Sequence, residues 1–154
     1  MVWPIPTKNV LTKNVFISIF IILFLYVVFL PNAIAHSYHN DETKKVYFIT
    51  PSDGTTVTNP VKIKFGATGV NIVPAGVDMP DSGHHHLLIN VDKLPDLKMP
   101  IPADSNHLHF GNGQTETEIN LPVGKHSLQL LIGNHLHIPH SEPIISEKIE
   151  ITVK

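Results

Sequence analysis

The apolar positions of this chain follow two different patterns. Residues 15–30 form an almost unbroken apolar run, whereas after residue 35 short apolar segments are separated by turn residues. In residues 61–65, Val61, Ile63 and Phe65 alternate with lysines, which is typical of a half-buried strand. Similar runs recur up to the C-terminus, and none has the 3.6-residue period of a helix. About seven such strands in a domain of this size predict an all-β fold, an immunoglobulin-like antiparallel β-sandwich.

The N-terminal apolar run predicts a targeting segment. It is preceded by two lysines and followed by a proline and the small-x-small sequence Ala33-Ile34-Ala35, which signal peptidase favours. The run is short for a membrane span, which needs roughly 20 residues. We therefore predict a helical signal peptide over 1–35 and a periplasmic or secreted protein. The alternative is an uncleaved segment that anchors the domain in the inner membrane, facing the periplasm.

The mature part, 36–154, is then a lead-in over 36–45, which we expect to be flexible, and one domain over 46–154. The formal net charge of the chain is −2, and it becomes −4 when the two lysines of the targeting segment are removed. No basic patch remains, so nucleic acid is not an expected partner. The chain has no cysteine, which excludes disulfides and thiolate metal sites.

The candidate chemistry lies in histidine. All 11 histidines follow residue 35, and most are clustered. Residues i and i+2 of a strand share a face about 6.6 Å apart, so two such imidazoles can lean onto one ion. Imidazoles without thiolates suit copper, zinc, nickel or iron. The predicted metal ligands are His84, His86, His107, His109, His135, His137 and His140.

Two further histidines are expected to be structural. His85 shares its strand face with Leu87 and Ile89, so it should be buried in the core and hydrogen-bonded to backbone. His126 begins a strand whose same-face partners are apolar, which also favours a structural role.

The predicted new N-terminus offers a different site. After cleavage at Ala35, the α-amine and the ring of His36 could chelate one ion, which is half of a copper histidine-brace centre. His39 or a histidine of the folded domain could complete it. This site depends on the bond that is cleaved and on a segment that we expect to be mobile.

Three functions are therefore open. The first is an exported envelope protein that binds copper or zinc as a buffer, carrier or chaperone, with another envelope protein as a candidate partner. Copper is favoured slightly because Met79 and Met99 precede two of the histidine groups. The second is a structural or interaction domain whose histidines form hydrogen-bond networks. The third is a metal-dependent enzyme with an open position on a three-histidine ion. Because nucleophile-elbow, HExxH and phosphate-loop motifs are absent, the enzyme is the less favoured interpretation.

The histidine motifs resemble a known family. Gly83-His84-His85-His86, His107-Leu108-His109-Phe110-Gly111 and His137-Ile138-Pro139-His140 are similar to the small exported bacterial domains grouped as domain of unknown function 4399. The resemblance covers about 46–153 and brings no established activity. It implies that the triplet, His107, His109, His126, His137 and His140 belong to the family pattern, and that His36, His39 and His135 do not.

A weaker similarity concerns the sequence Pro51-Ser52-Asp53-Gly54. It resembles the opening of CopC-type copper carriers, which are immunoglobulin-like and use an N-terminal histidine. About fifteen residues separate His36 from Pro51 here, more than in that family. The similarity implies the sandwich fold more than it implies copper.

Overall fold

The computed structural model describes Met1, Trp3 and residues 43–154. Apart from Met1 and Trp3, the predicted signal peptide lies outside these described residues, as do most of the lead-in and the N-terminal His36 and His39. The chain divides into two compact units, Met1–His39 and Asn40–Lys154, and the account below concerns the second. In the part that is described, no helix is long and apolar enough to cross a membrane.

The second unit is built from strands. Its described residues form β1 (Lys45–Thr50), β2 (Thr56–Val57), β3 (Val61–Thr68), β4 (Asn71–Ile72), β5 (Ser82–Ile89), β6 (His107–His109), β7 (Glu116–Ile119), β8 (Gly124–Gly133) and β9 (Ile149–Val153). One sheet has the order β1-β3-β7, and the other has the order β2-β9-β8-β5-β4, with β6 also pairing with β5. The longer strands pair antiparallel, and the two-residue strands β2 and β4 pair parallel with β9 and β5. The predicted all-β sandwich is confirmed.

The alternating pattern of β3 shows why the two sheets stack. Val61, Ile63 and Phe65 are buried in the core cluster together with leucines of β5 and β8. The intervening lysines face outward, and Lys64 forms an ion pair with a glutamate of β7. Burying one apolar face of each sheet against the other is the main stabilising term of such a sandwich.

Strand β5 differs because all eight of its residues are buried. Leu87 and Ile89 point into the core between the sheets. Leu88, on the opposite face, packs with Leu131 and Ile101 in a second apolar cluster. Ile101 belongs to the long connection between β5 and β6, so loops cover this outer face of the six-stranded sheet. The outer face is where the clustered histidines meet.

Candidate metal centre

The centre begins on β5 and β6. His84 and His86 lie on the outer face of β5, as the alternation of a strand requires. Strand β6 runs antiparallel to β5 and places His109 directly opposite His86. Directly opposite residues of antiparallel strands have their side chains on the same face, so the three imidazoles converge. The pairing of the two strands thus turns two His-x-His motifs into one cluster.

The fourth imidazole comes from the turn that follows β8. Asn134 organises this turn, because its side-chain oxygen accepts hydrogen bonds from the backbone N–H groups of Leu136 (2.8 Å) and Ile138 (3.1 Å). His137 has a left-handed backbone with φ of 65°, which is uncommon for a residue other than glycine. Its carbonyl accepts a hydrogen bond of 2.8 Å from the N–H of Ile101. Both ends of the turn are therefore fixed, and the ring of His137 is directed at the strands.

The four rings are packed against one another. The ring centroid of His84 lies 4.9 Å from those of His86, His109 and His137. His109 lies 4.7 Å from His137 and 5.1 Å from His86, and the longest separation, 6.0 Å, is between His86 and His137. One nitrogen each from His84, His109 and His137 can be chosen so that all three lie within 4.8 Å of one another.

These distances fit a small ion after a modest contraction. Zinc–imidazole bonds of about 2.0–2.1 Å in a tetrahedral site place the ligand nitrogens roughly 3.4 Å apart. The three nitrogens, which lie within 4.8 Å of one another, would have to move closer together to reach that spacing. His109 is exposed, His137 is half-buried and His84 is buried, so an ion would enter from the side of His109.

Two rings of the cluster have unpaired polar atoms. Both ring nitrogens of His84 and both of His86 are buried and lack a hydrogen-bond partner in the described structure. A buried polar atom without a partner costs about 1–3 kcal/mol, and such atoms in a native fold need an explanation. A metal ion bound between the rings would satisfy one nitrogen of each ring.

The protonation of the cluster also suits metal binding. Burial lowers the pKa of His84 to about 4 and that of His86 to about 3, and the neighbouring histidines contribute to both shifts. The pKa of His109 is lowered by burial and then by His137. Only neutral imidazole has a lone pair for a metal, so His84 and His86 are in the ligating form at neutral pH.

His85, the central residue of the triplet, faces the other way. Its ring is buried between the sheets, with its centroid 4.5 Å from that of Phe65. Its predicted burial is confirmed. The predicted hydrogen bond to backbone is wrong, because both ring nitrogens are buried without a partner among the residues that the structure describes. Burial lowers the pKa of His85 to about 4, and His84 adds to the shift.

Among the described residues, the remaining candidate ligands His107, His135 and His140 are not brought into the cluster. His107 lies with its Nδ1 2.9 Å from a carboxylate oxygen of Asp104, and His135 lies 3.3 Å from one of Asp78. His140 is half-buried, and burial lowers its pKa. His36 falls outside the described residues. The geometry therefore gathers four of the eight candidate ligands: His84, His86, His109 and His137.

His126 has the role expected of it. Its Nε2 lies 2.8 Å from the carbonyl oxygen of Pro122, to which it can only donate. Its Nδ1 is then the acceptor for the side-chain amide of Asn90, at 2.9 Å. Both ring nitrogens are satisfied, as in a structural histidine.

One signal in the sequence distinguishes His137, the loop histidine of the cluster. The tetrapeptide Asn-His-Leu-His occurs at 106–109 and at 134–137, and both copies end on a histidine of the cluster. In both copies the first histidine lies beside a carboxylate instead. The structural role of Asn134 in holding His137 was not expected, although an asparagine at the start of a loop often organises a turn.

Comparison with known proteins agrees with the resemblance noted in the sequence. Residues 63–154 match the family model described as "Domain of unknown function (DUF4399)". No curated protein and no solved structure matches the chain. The matched range contains every residue of the histidine cluster and covers more than half of the chain. The chain therefore belongs to the DUF4399 family.

Proposed function

We propose that this protein binds a transition-metal ion, copper or zinc, at the cluster of His84, His109 and His137, with His86 as the fourth imidazole. The observation that carries the proposal is the convergence of three imidazoles from three separate segments, with a nitrogen of each within 4.8 Å of the others. In cellular terms, it is an exported envelope protein that buffers, carries or delivers this ion.

The unpaired nitrogens favour a metal over a network of hydrogen bonds. A structural network joins each buried nitrogen to a donor or acceptor, as at His126. At His84 and His86 the ring nitrogens lack such partners among the described residues. Buried ring nitrogens without partners at His84 and His86 would be costly without an ion, because these nitrogens have lost their water.

The donor set narrows the choice of metal. The cluster offers imidazole nitrogens, and the chain has no cysteine, so the soft thiolate sites of copper(I) and structural zinc are excluded. Nitrogen sites bind copper(II) most tightly among the divalent first-row ions, and zinc accepts the same ligands in tetrahedral geometry. Copper and zinc are therefore the ions to test first. The extracellular setting rests on the targeting pattern over 1–35.

The test compares cluster histidines with matched histidines outside the cluster. Copper(II) and zinc are titrated by calorimetry into the untagged chain that begins at His36, into its His84→Ala/His109→Ala variant and into its His107→Ala/His135→Ala variant. We expect the first variant to lose more than tenfold in affinity, about 1.4 kcal/mol, and the second to bind like the parent.

A third variant addresses the N-terminal chelate. Deletion of residues 36–40 should leave the affinity unchanged if the folded cluster is the site. If this deletion abolishes binding while the cluster variant binds normally, the N-terminal chelate is the site and the proposal is wrong. Equal affinities in all variants, or a parent that binds neither ion, would also contradict the proposal and favour a structural role for the histidines.

A further inference from the structure

We infer that Gly111 and Gly133 are positioning residues of the centre, and that each is glycine because an imidazole of the cluster occupies the space of its missing side chain. The inference rests on the proposed function in one respect: the two glycines would orient the rings that bind the metal. The spatial claim itself concerns the protein without metal and can be tested separately.

Gly111 lies beneath the ring of His109. A Cβ at position 111 would lie 2.3 Å from Cε1 and 2.8 Å from Nε2 of His109. Both distances are far below van der Waals contact, so an alanine side chain at position 111 would clash with the ring of His109 in its present position. His109 is exposed, and its ring has room to swing away from an added methyl group. Such a swing would remove the ring from His84 and His137.

Gly133 has the same relation to His86. A Cβ at position 133 would lie 2.8 Å from Cε1 and 3.2 Å from Nδ1 of His86, and 3.3 Å from Cα of His137. Here the ring is fully buried and the second neighbour is backbone. An added methyl group would therefore displace a ring with no free space and push on the turn that presents His137. The cost should appear in stability as well as in the site.

Backbone conformation does not explain these two glycines. Gly54, Gly113 and Gly124 have φ values of 74°, 75° and 138°, a region that residues with side chains rarely adopt. Gly111 and Gly133 have no such positive φ. Their backbones would accept alanine, and the atoms that stand in its way include rings of the cluster in both cases. The requirement for glycine therefore arises from the site.

The decisive experiment is a double-mutant cycle on Gly111 and His109 in the full chain. Copper(II) or zinc affinity is measured for the parent, Gly111→Ala, His109→Ala and the double variant. We expect Gly111→Ala to weaken binding by tenfold or more in the parent, and by no more than about twofold once the ring of His109 is absent. Equal losses in both backgrounds would overturn the inference.

Gly66→Ala is the matched control. A Cβ at position 66 would lie 2.8 Å from ring atoms of Tyr47, so it makes a similar clash, but on the other sheet. We expect this variant to bind metal like the parent. A loss equal to that of Gly111→Ala would show that any such clash disturbs the site through the fold, and would contradict a positioning role.

A metal-free measurement separates this inference from the proposed function. NMR cross-relaxation between the ring protons of His109 and those of His84 and His137 reports the position of the ring. It should be present in the parent and in Gly66→Ala, and lost in Gly111→Ala. If the parent binds neither ion but this pattern is found, the proposed function fails and the positioning stands. Unchanged cross-relaxation in Gly111→Ala would refute the positioning.

Discussion

Replacing His85 by leucine should make the protein more stable. The imidazole of His85 is fully buried beside Phe65, and neither ring nitrogen has a hydrogen-bond partner in the described structure. Leaving a buried polar atom unpaired costs about 1–3 kcal/mol, and leucine fills a similar space without polar atoms. The free energy of unfolding at pH 7 should therefore rise by about 1–3 kcal/mol.

The gain should grow in mild acid. Burial lowers the pKa of His85 to about 4 in the folded protein, and an unfolded histidine titrates near 6.5. Between these values the unfolded state binds more protons, so His85 removes stability as the pH falls from about 6.5 towards 4. At pH 5 this loss amounts to about 2 kcal/mol. Leucine does not titrate, so the advantage of the variant should widen by about that amount between pH 7 and pH 5.

Urea unfolding of the metal-free protein at both pH values measures these differences. His126→Leu is the control, because His126 is also buried but both of its ring nitrogens are hydrogen-bonded. Its replacement leaves the carbonyl of Pro122 and the amide of Asn90 without these partners, and should destabilise the fold by about 1–3 kcal/mol. The two histidine-to-leucine changes should therefore have opposite signs.

Two results would refute this reasoning. A His85→Leu variant less stable than the parent at pH 7 would mean that the ring of His85 has favourable interactions that its packing against Phe65 does not reveal. A gain that is equal at pH 7 and pH 5 would mean that folding does not lower the pKa of His85. Metal affinity should not change, because His85 lies on the opposite face of β5 from the cluster.

Three further predictions concern the targeting segment, the turn and the cluster. Mass spectrometry of the protein from its own envelope should find a chain that starts at His36, whereas an intact N-terminus on a membrane-bound form would favour the anchor. Asn134→Ala should lower metal affinity several-fold in calorimetry, because it frees the turn that holds His137, and an unchanged affinity would contradict that role. Thermal melts of the metal-free protein should show stability falling from about pH 6.5 towards 4, since burial lowers the pKa of His84 and His86. At neutral pH, metal at a hundred times its Kd should add about 2.7 kcal/mol, and an unshifted melt would argue against binding to the folded state.

The sequence predicts most of the fold because its strands have one polar and one apolar face. The alternation in β3 and the turn residues between strands were sufficient for the sandwich. The two-residue strands β2 and β4 carry too few residues to show any period. Their parallel pairing depends on the path of the chain in three dimensions, which local patterns do not encode.

The site was predictable to the extent that its histidines lie on strands. The alternation rule placed His84 and His86 together and separated them from His85, as observed. The same rule failed to separate His135 from His137, because these residues lie in a turn, where neighbours at i and i+2 have no fixed face. It also did not foresee that Asp104 would hold His107, since that contact depends on how the connection after β5 folds back.

Strand β5 is buried on both faces, and this affects how its register with the neighbouring strands is determined. A strand with one polar face is locked in register, because a slip of one residue would expose its apolar side chains. In β5 every residue is buried, so such a slip would exchange the roles of the triplet, moving His84 and His86 into the sandwich and His85 to the outer face. The polarity of the strand gives little protection against this error.

Contacts at the two ends of β5 fix its register with the neighbouring strands. At position 83 a Cβ would lie 2.5 Å from the carbonyl oxygen of Gly133, so a slip that brought serine or histidine there would collide with backbone. At the other end, the backbone N–H of Asn90 donates a hydrogen bond of 2.9 Å to the carbonyl oxygen of Ser127. The side-chain oxygen of Asn90 accepts one of 3.0 Å from the backbone N–H of Ser127. Gly83 and Asn90 therefore help to decide which imidazoles of β5 lie on the outer face. Substitutions at Gly83 or Asn90 would act on the centre by shifting the alignment of the strand.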